Sequence, residues 1–184
     1  MNRAAGNLAA ERDLLLAVLR GALSGGWQGP TLTSAVRGLT PELAAASVSG
    51  RKSIWQQLLH VAFWKRRVLN MLVPDRTPFP RRGANWPSLP ERIDADTWLA
   101  DLALLEGLNE RLLRAVSELP ASRYSPKVRQ AIFGIAAHDI YHAGQMNLIR
   151  RLLGERTSPQ SRQKPQGKPK PNREPKATTR KRTT

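Results

Sequence analysis

Residues 125–154 read SPKVRQAIFGIAAHDIYHAGQMNLIRRLLG. Ser125 is a good helix N-cap, and Pro126 suits the first helical position, where a missing N–H leaves no carbonyl without its donor. Apolar residues then recur every three or four positions as far as Leu153. Gly154 supplies a stop, with Arg150 and Arg151 placed where the negative end of a helix attracts cations. His138 and His142 are four apart, so on this helix their rings project from one face, one turn from each other. The same face continues through Ala131, Ile135, Gln145, Ile149 and Leu152, a spacing that marks an inward seam and points the pair into a core.

Three further segments upstream carry the same period. Leu14, Leu15, Val18, Leu19 and Ala22 define a helix from about Leu8 to Leu23, broken by Gly25-Gly26. Ser53 with Gln56 forms a capping box for a second helix that runs to about Leu72, before Pro74. A third runs from about Ala95 to Leu119, capped by Asp94 or Asp96 and followed by Pro120. A short turn of helix is expected after Thr40-Pro41-Glu42. No segment alternates as a strand would, so the expected fold is all-α, a four-helix bundle. Two connections are long, Gly25 to Gly50 and Val73 to Asp94. The second holds five prolines with Phe79 and Trp86; stiff aromatic loops of this kind usually cover something, here the mouth of the bundle.

The chain has 184 residues, 40% of them hydrophobic, with a net charge of +16. Half of that charge lies in residues 155–184, where ten Lys or Arg face two Glu. With almost no apolar side chains to offset the entropy of ordering, this stretch is expected to be a disordered basic tail after a helical domain over 1–154. No run of apolar residues is long enough to span a bilayer, and the start, MNRAAGNLAAER, is interrupted by charge where a signal peptide must be apolar. A soluble, cytoplasmic protein is expected. Cysteine is absent, which excludes disulfides, thiolate ligands and a Cys nucleophile, and any transition-metal site must use nitrogen and oxygen donors. No paired-carboxylate site, Ser-His-Asp order or phosphate-binding glycine loop is evident.

An inward HxxxH pair needs partners, and a metal ion is one of them. The one remaining histidine, His60, lies on the second helix. Projection of that helix puts its strongest apolar stripe at Trp55, Leu58, Leu59, Ala62 and Leu69, nearly opposite His60. The residues alone therefore leave two readings of His60 open: a metal ligand, or a partly exposed histidine hydrogen-bonded by Gln56 or Gln57.

The segment IWQQLLHVAFWKRRVL around His60 and the segment IFGIAAHDIYHAGQMNLIRRLLG around the pair together resemble the DinB/YfiT superfamily of four-helix bundles. The similarity covers about residues 10 to 154 and extends to the loop Phe79–Pro90 and Trp98. The resemblance implies that one histidine of the second helix and an HxxxH pair of the last bind nickel, zinc or iron, which here designates His60, His138 and His142. Three histidines leave coordination positions open to water or substrate. Members resemble thiol-dependent transferases and isomerases that use low-molecular-weight thiols, or hydrolases. The expected function is therefore a divalent-metal-binding protein acting on a small molecule. The alternative is a non-enzymatic binding protein with a structural metal and a tail that contacts nucleic acid.

Asp139 and Tyr141 flank the ligands but point away from their face, so Asp139 is expected in a salt bridge or supporting a ligand. Gln145, one turn from His142, orients a substrate or sits at the bundle rim. Trp64, Trp86 and Trp98 are pocket or core aromatics. The run Lys65-Arg66-Arg67 reads first as a solvated face, and secondarily as an attractor of anions. The tail offers weak, sequence-independent contact to nucleic acid but lacks aromatics to stack bases. No membrane partner is expected, and a homodimer stays open.

Overall fold

The computed structural model describes residues 3–26, 29–74 and 77–154. They form six α-helices: α1 (Arg3–Leu23), α2 (Leu32–Val36), α3 (Pro41–Ala45), α4 (Ile54–Leu72), α5 (Ala95–Ser117) and α6 (Pro126–Leu152), with one 3₁₀ turn at Ala121–Arg123. No strand occurs among the described residues. The fold is all-helical. α4 packs against α5 and α6, α1 packs against the same two helices, and α2 and α3 lie on α6 and α4. The tail expected at 155–184 lies outside the described residues.

The helix starts follow local chemistry. Ser53 Oγ accepts from the Gln56 amide at 3.2 Å while Gln56 Oε1 accepts from the Ser53 amide at 3.1 Å, a reciprocal cap that satisfies two otherwise unpaired donors. Asp94, rather than Asp96, caps α5 by accepting from the Thr97 amide at 2.9 Å. Ser125 caps α6 with Pro126 in its first turn. The connection 25–50 also holds α2, whose own cap pairs Thr31 with Ser34. Arg150 reaches the carbonyls of Ala35 and Arg37 at 3.0 Å, so the cation expected at a helix C-terminus closes α2 rather than α6.

The central helix is α4. It is buried on nearly every side, by Trp55, Leu58, Leu59 and Leu69 but also by Gln57, His60, Lys65 and Arg66. This corrects the solvated face expected at Lys65-Arg66-Arg67, of which only Arg67 is exposed. Lys65 is fully buried; its ammonium bonds the Asp139 carboxylate of α6 and donates to Asn109 Oδ1 of α5 at 2.8 Å. Arg66 donates to the carbonyl of Thr77 and to Asn70 Oδ1. Neither cation could be placed from the helical period, because the partners that bury Lys65 come from two neighbouring helices and one that buries Arg66 comes from the loop after α4.

On α6 the buried seam runs through Ile132, Ile135, Asp139, His142, Met146 and Ile149, about one position round from the face expected. Ala131 and Gln145 are half-buried and Leu152 is exposed. The outward positions are themselves apolar or small: Phe133, Ala137, Ile140, Tyr141, Gly144 and Leu148. A helix apolar on both faces carries little periodic signal, which is why its orientation was misjudged. No described helix is long and apolar enough to cross a membrane.

The buried ion pair makes a direct prediction. Lys65→Met should strand the Asp139 carboxylate in the core and cost about 3–5 kcal/mol in urea unfolding, while Lys65→Met with Asp139→Leu should recover most of the loss. A single variant within about 1 kcal/mol of the parent would show that the pair does not hold the helices together.

Candidate metal centre

His60 lies in the middle of α4, facing His138 and His142 on α6. The three rings form a triangle, with centroids 5.0 Å apart for His60–His138, 4.6 Å for His60–His142 and 4.4 Å for His138–His142. One ring nitrogen from each lies within 4.8 Å of the others, close enough for all three to hold one metal ion. His60 is turned inward rather than partly exposed: His60 and His142 are buried and His138 is half-buried.

Hydrogen bonds orient two of the rings. His60 Nδ1 lies 2.5 Å from the backbone carbonyl of Asn85, and His142 Nδ1 lies 2.7 Å from Gln57 Oε1. Carbonyl oxygens only accept, so with the Gln57 amide oriented this way both Nδ1 atoms carry the proton. That leaves each Nε2 with a bare lone pair. His60 Nε2 in turn sits 3.0 Å from His138 Nε2, a separation that needs a proton or a cation between the two nitrogens. His138 Nδ1 is buried without a hydrogen-bond partner. The arrangement of donors thus fits a bound ion.

The electrostatics point the same way. Burial, then the neighbouring His60 and Lys65, pulls the His138 imidazole down to about 4. Burial, then His138 and His60, pulls His142 down to about 3. Burial also lowers His60, opposed by its bond to Asn85. All three are neutral near pH 7, the form that ligates metal. Asp139 is pushed up to about 6 by burial against the pull of Lys65, so it remains a carboxylate at neutral pH. It serves the ion pair and leaves the imidazoles unattended.

The expected lid is present. Trp86 stacks on His60 with ring centroids 3.9 Å apart and planes 15° from parallel. Trp64 Nε1 donates to Asn85 Oδ1 at 2.8 Å. The segment is pinned to α5 by Arg81 Nη2, 2.8 Å from Asp101 Oδ1, and Asp101 also accepts from Trp55 Nε1 at 2.8 Å. Trp98 lies apart from the histidines, buried edge-on against Trp55. Gln145 makes no hydrogen bond to them among the described residues. Gln57 serves His142 rather than His60, while Gln56 is occupied by its helix cap. The Asn85 carbonyl was missed altogether, and backbone acceptors leave no mark in a sequence.

Beside His138 a groove of about 530 Å³ opens between α4 and α6. Trp64, Val68 and Met71 form one wall and Ala131, Gly134 and Ile135 the other. Three nitrogen donors that could hold a borderline divalent ion thus lie beside an open groove.

A family model described as DinB superfamily matches residues 26–146, which include all three histidines. No curated protein and no solved structure matches the chain.

The depressed imidazoles fix the sign of a pH effect. In the unfolded chain they take up protons near the ordinary value of 6.5, whereas the folded metal-free protein resists until about pH 4 and below. The unfolded state therefore binds more protons in this window, and stability is full above pH 6.5 and lost as pH falls. Histidine ring NMR on metal-free protein should show His138 and His142 unprotonated at pH 5.5; midpoints near 6.5 for both would contradict their burial as neutral groups.

Proposed function

The chain belongs to the DinB superfamily, and from that premise we propose that it is a four-helix-bundle metalloprotein. In it, His60, His138 and His142 hold one divalent transition ion through their Nε2 atoms. The observation that carries this reading is the convergence of three neutral imidazoles, two of them locked with Nδ1 outward by Asn85 and Gln57. Metal-ligating histidines are commonly held in this way by an acceptor on the second ring nitrogen.

When bound, nickel, zinc or iron supplies Lewis acidity toward a small-molecule substrate or a low-molecular-weight thiol. The chain's own residues perform the rest. Gln57 and the Asn85 carbonyl orient ligands, and Trp86 shields the His60 side from water. Lys65 and Asp139 hold α4 against α6, and His138 borders the groove through which a reactant arrives. A metal-dependent thiol transfer or hydrolysis fits this layout. The net charge of +8 on residues 155–184 supports a second, separable role for the tail, weak contact with nucleic acid.

Protein purified without a histidine tag should carry close to one equivalent of nickel, zinc or iron, or take it up on addition. Alanine at His60, His138 or His142 should leave less than about a tenth of an equivalent. Gln57→Leu, which releases only the orienting bond, should weaken metal binding by roughly 10–100-fold. A parent protein that neither contains nor acquires metal would overturn the proposal. Truncation after Gly154 should abolish binding to random-sequence DNA and leave metal content unchanged. Loss of metal on truncation would contradict the separation of the two parts.

A further inference from the structure

The groove beside His138 is chemically lopsided. Apart from Asn70, Arg67 and His138 its walls are apolar, and among the described residues no carboxylate lines it. Among the described residues the one Lys or Arg that lines it is Arg67, which is exposed and takes part in no ion pair among them. Arg67 stands seven residues beyond His60 on α4, roughly 10 Å along the helix axis. Met71 lines the groove beyond it, so the guanidinium flanks a largely apolar channel that begins at the histidine cluster. Its volume of about 530 Å³ falls within the ordinary range for small-molecule sites.

The floor of this channel depends on small residues. Gly134 has helical geometry, and a Cβ built there meets nothing within 4 Å. Its hydrogen therefore leaves space that a larger side chain would fill without straining the backbone. Trp64 is held in place by its bond to Asn85 Oδ1, so the wall nearest the histidines has a set orientation.

We propose that this groove is the substrate site and that it selects an elongated apolar acid. The hydrocarbon or aryl body would lie between Trp64, Val68, Met71 and Ile135, with its carboxylate on Arg67 and its opposite end at the histidines. The substrate class follows from three features of the described residues together: largely apolar walls, one cation with no ion pair among them, and no carboxylate in the lining. The inference rests on the metal reading only for what happens at the histidine end; the acid-binding groove stands on its own residues.

The test uses full-length protein, metal-free and metal-loaded, with 4-phenylbutyrate and its neutral amide as probes in ligand-observed NMR titrations. The acid should bind about fivefold more tightly than the amide, the scale of one partly solvated arginine–carboxylate pair. Arg67→Gln should reduce that preference to within about twofold. Gly134→Leu should weaken both probes by at least about tenfold through loss of space, while Gly134→Ala should leave them within about threefold. These results in metal-free protein support the groove whatever the metal content.

Equal affinity for acid and amide in the parent would overturn the proposal. So would binding indifferent to Gly134→Leu, or a preference that appears only with metal and survives Arg67→Gln. Metal uptake measured on the same samples separates the two readings. Discrimination without metal uptake sinks the metal centre and spares the groove; uptake without discrimination does the reverse.

Discussion

Three pairs of buried or half-buried polar side chains join α4 to α6, and only one alignment of the two helices satisfies them together. Gln57 meets His142, His60 meets His138, and Lys65 meets Asp139. Gln57 pairs with the later His142, and Lys65, further along α4, pairs with the earlier Asp139, as antiparallel packing requires. Apolar packing alone would hold this register loosely, since α6 is apolar on both faces and could rotate or slide at modest cost. A shifted alignment would take partners from an ammonium, a carboxylate, an amide and the imidazoles, each loss costing on the order of 1 kcal/mol or more. Specificity here comes from polar groups placed in an apolar setting, and the histidine cluster is part of that constraint.

The same burial prepares the site chemically. Imidazoles removed from water resist protonation, so the cluster presents lone pairs at neutral pH. The two Nδ1 acceptors come from different places, a side chain one turn before His60 on α4 and a backbone carbonyl of the loop after it. Folding of that loop is thus coupled to the orientation of His60. The Arg81–Asp101 ion pair and the Trp86 stack hold the loop at the cluster, which links α5 to a site whose histidines all lie on α4 and α6.

Much of this was legible in the sequence. Helix starts were visible because capping is local: Ser53 with Gln56, Asp94, and Ser125 with Pro126 each announce themselves within four residues. The HxxxH pair was legible for the same reason, through helical spacing. His60 was not, because an apolar stripe identifies an inward face only for a helix buried on one side, and α4 is buried nearly all round. Lys65 and Arg66 were misplaced in solvent for that reason too. The α6 seam was displaced because Phe133, Ile140, Tyr141 and Leu148 blur its period. Family resemblance supplied His60, and tertiary contacts supplied Gln57, Asn85 and the Lys65–Asp139 pair, none of which has a local signature.

In the proposed centre His60, His138 and His142 ligate one ion through Nε2 while Asn85 and Gln57 retain the protons on two Nδ1 atoms. Nitrogen-15 NMR of the histidine rings, with and without one equivalent of zinc, tests it most directly. Zinc should shift all three Nε2 resonances to metal-bound values while Nδ1 of His60 and His142 stays protonated. Unchanged Nε2 resonances, or coordination through Nδ1 of either anchored ring, would contradict it.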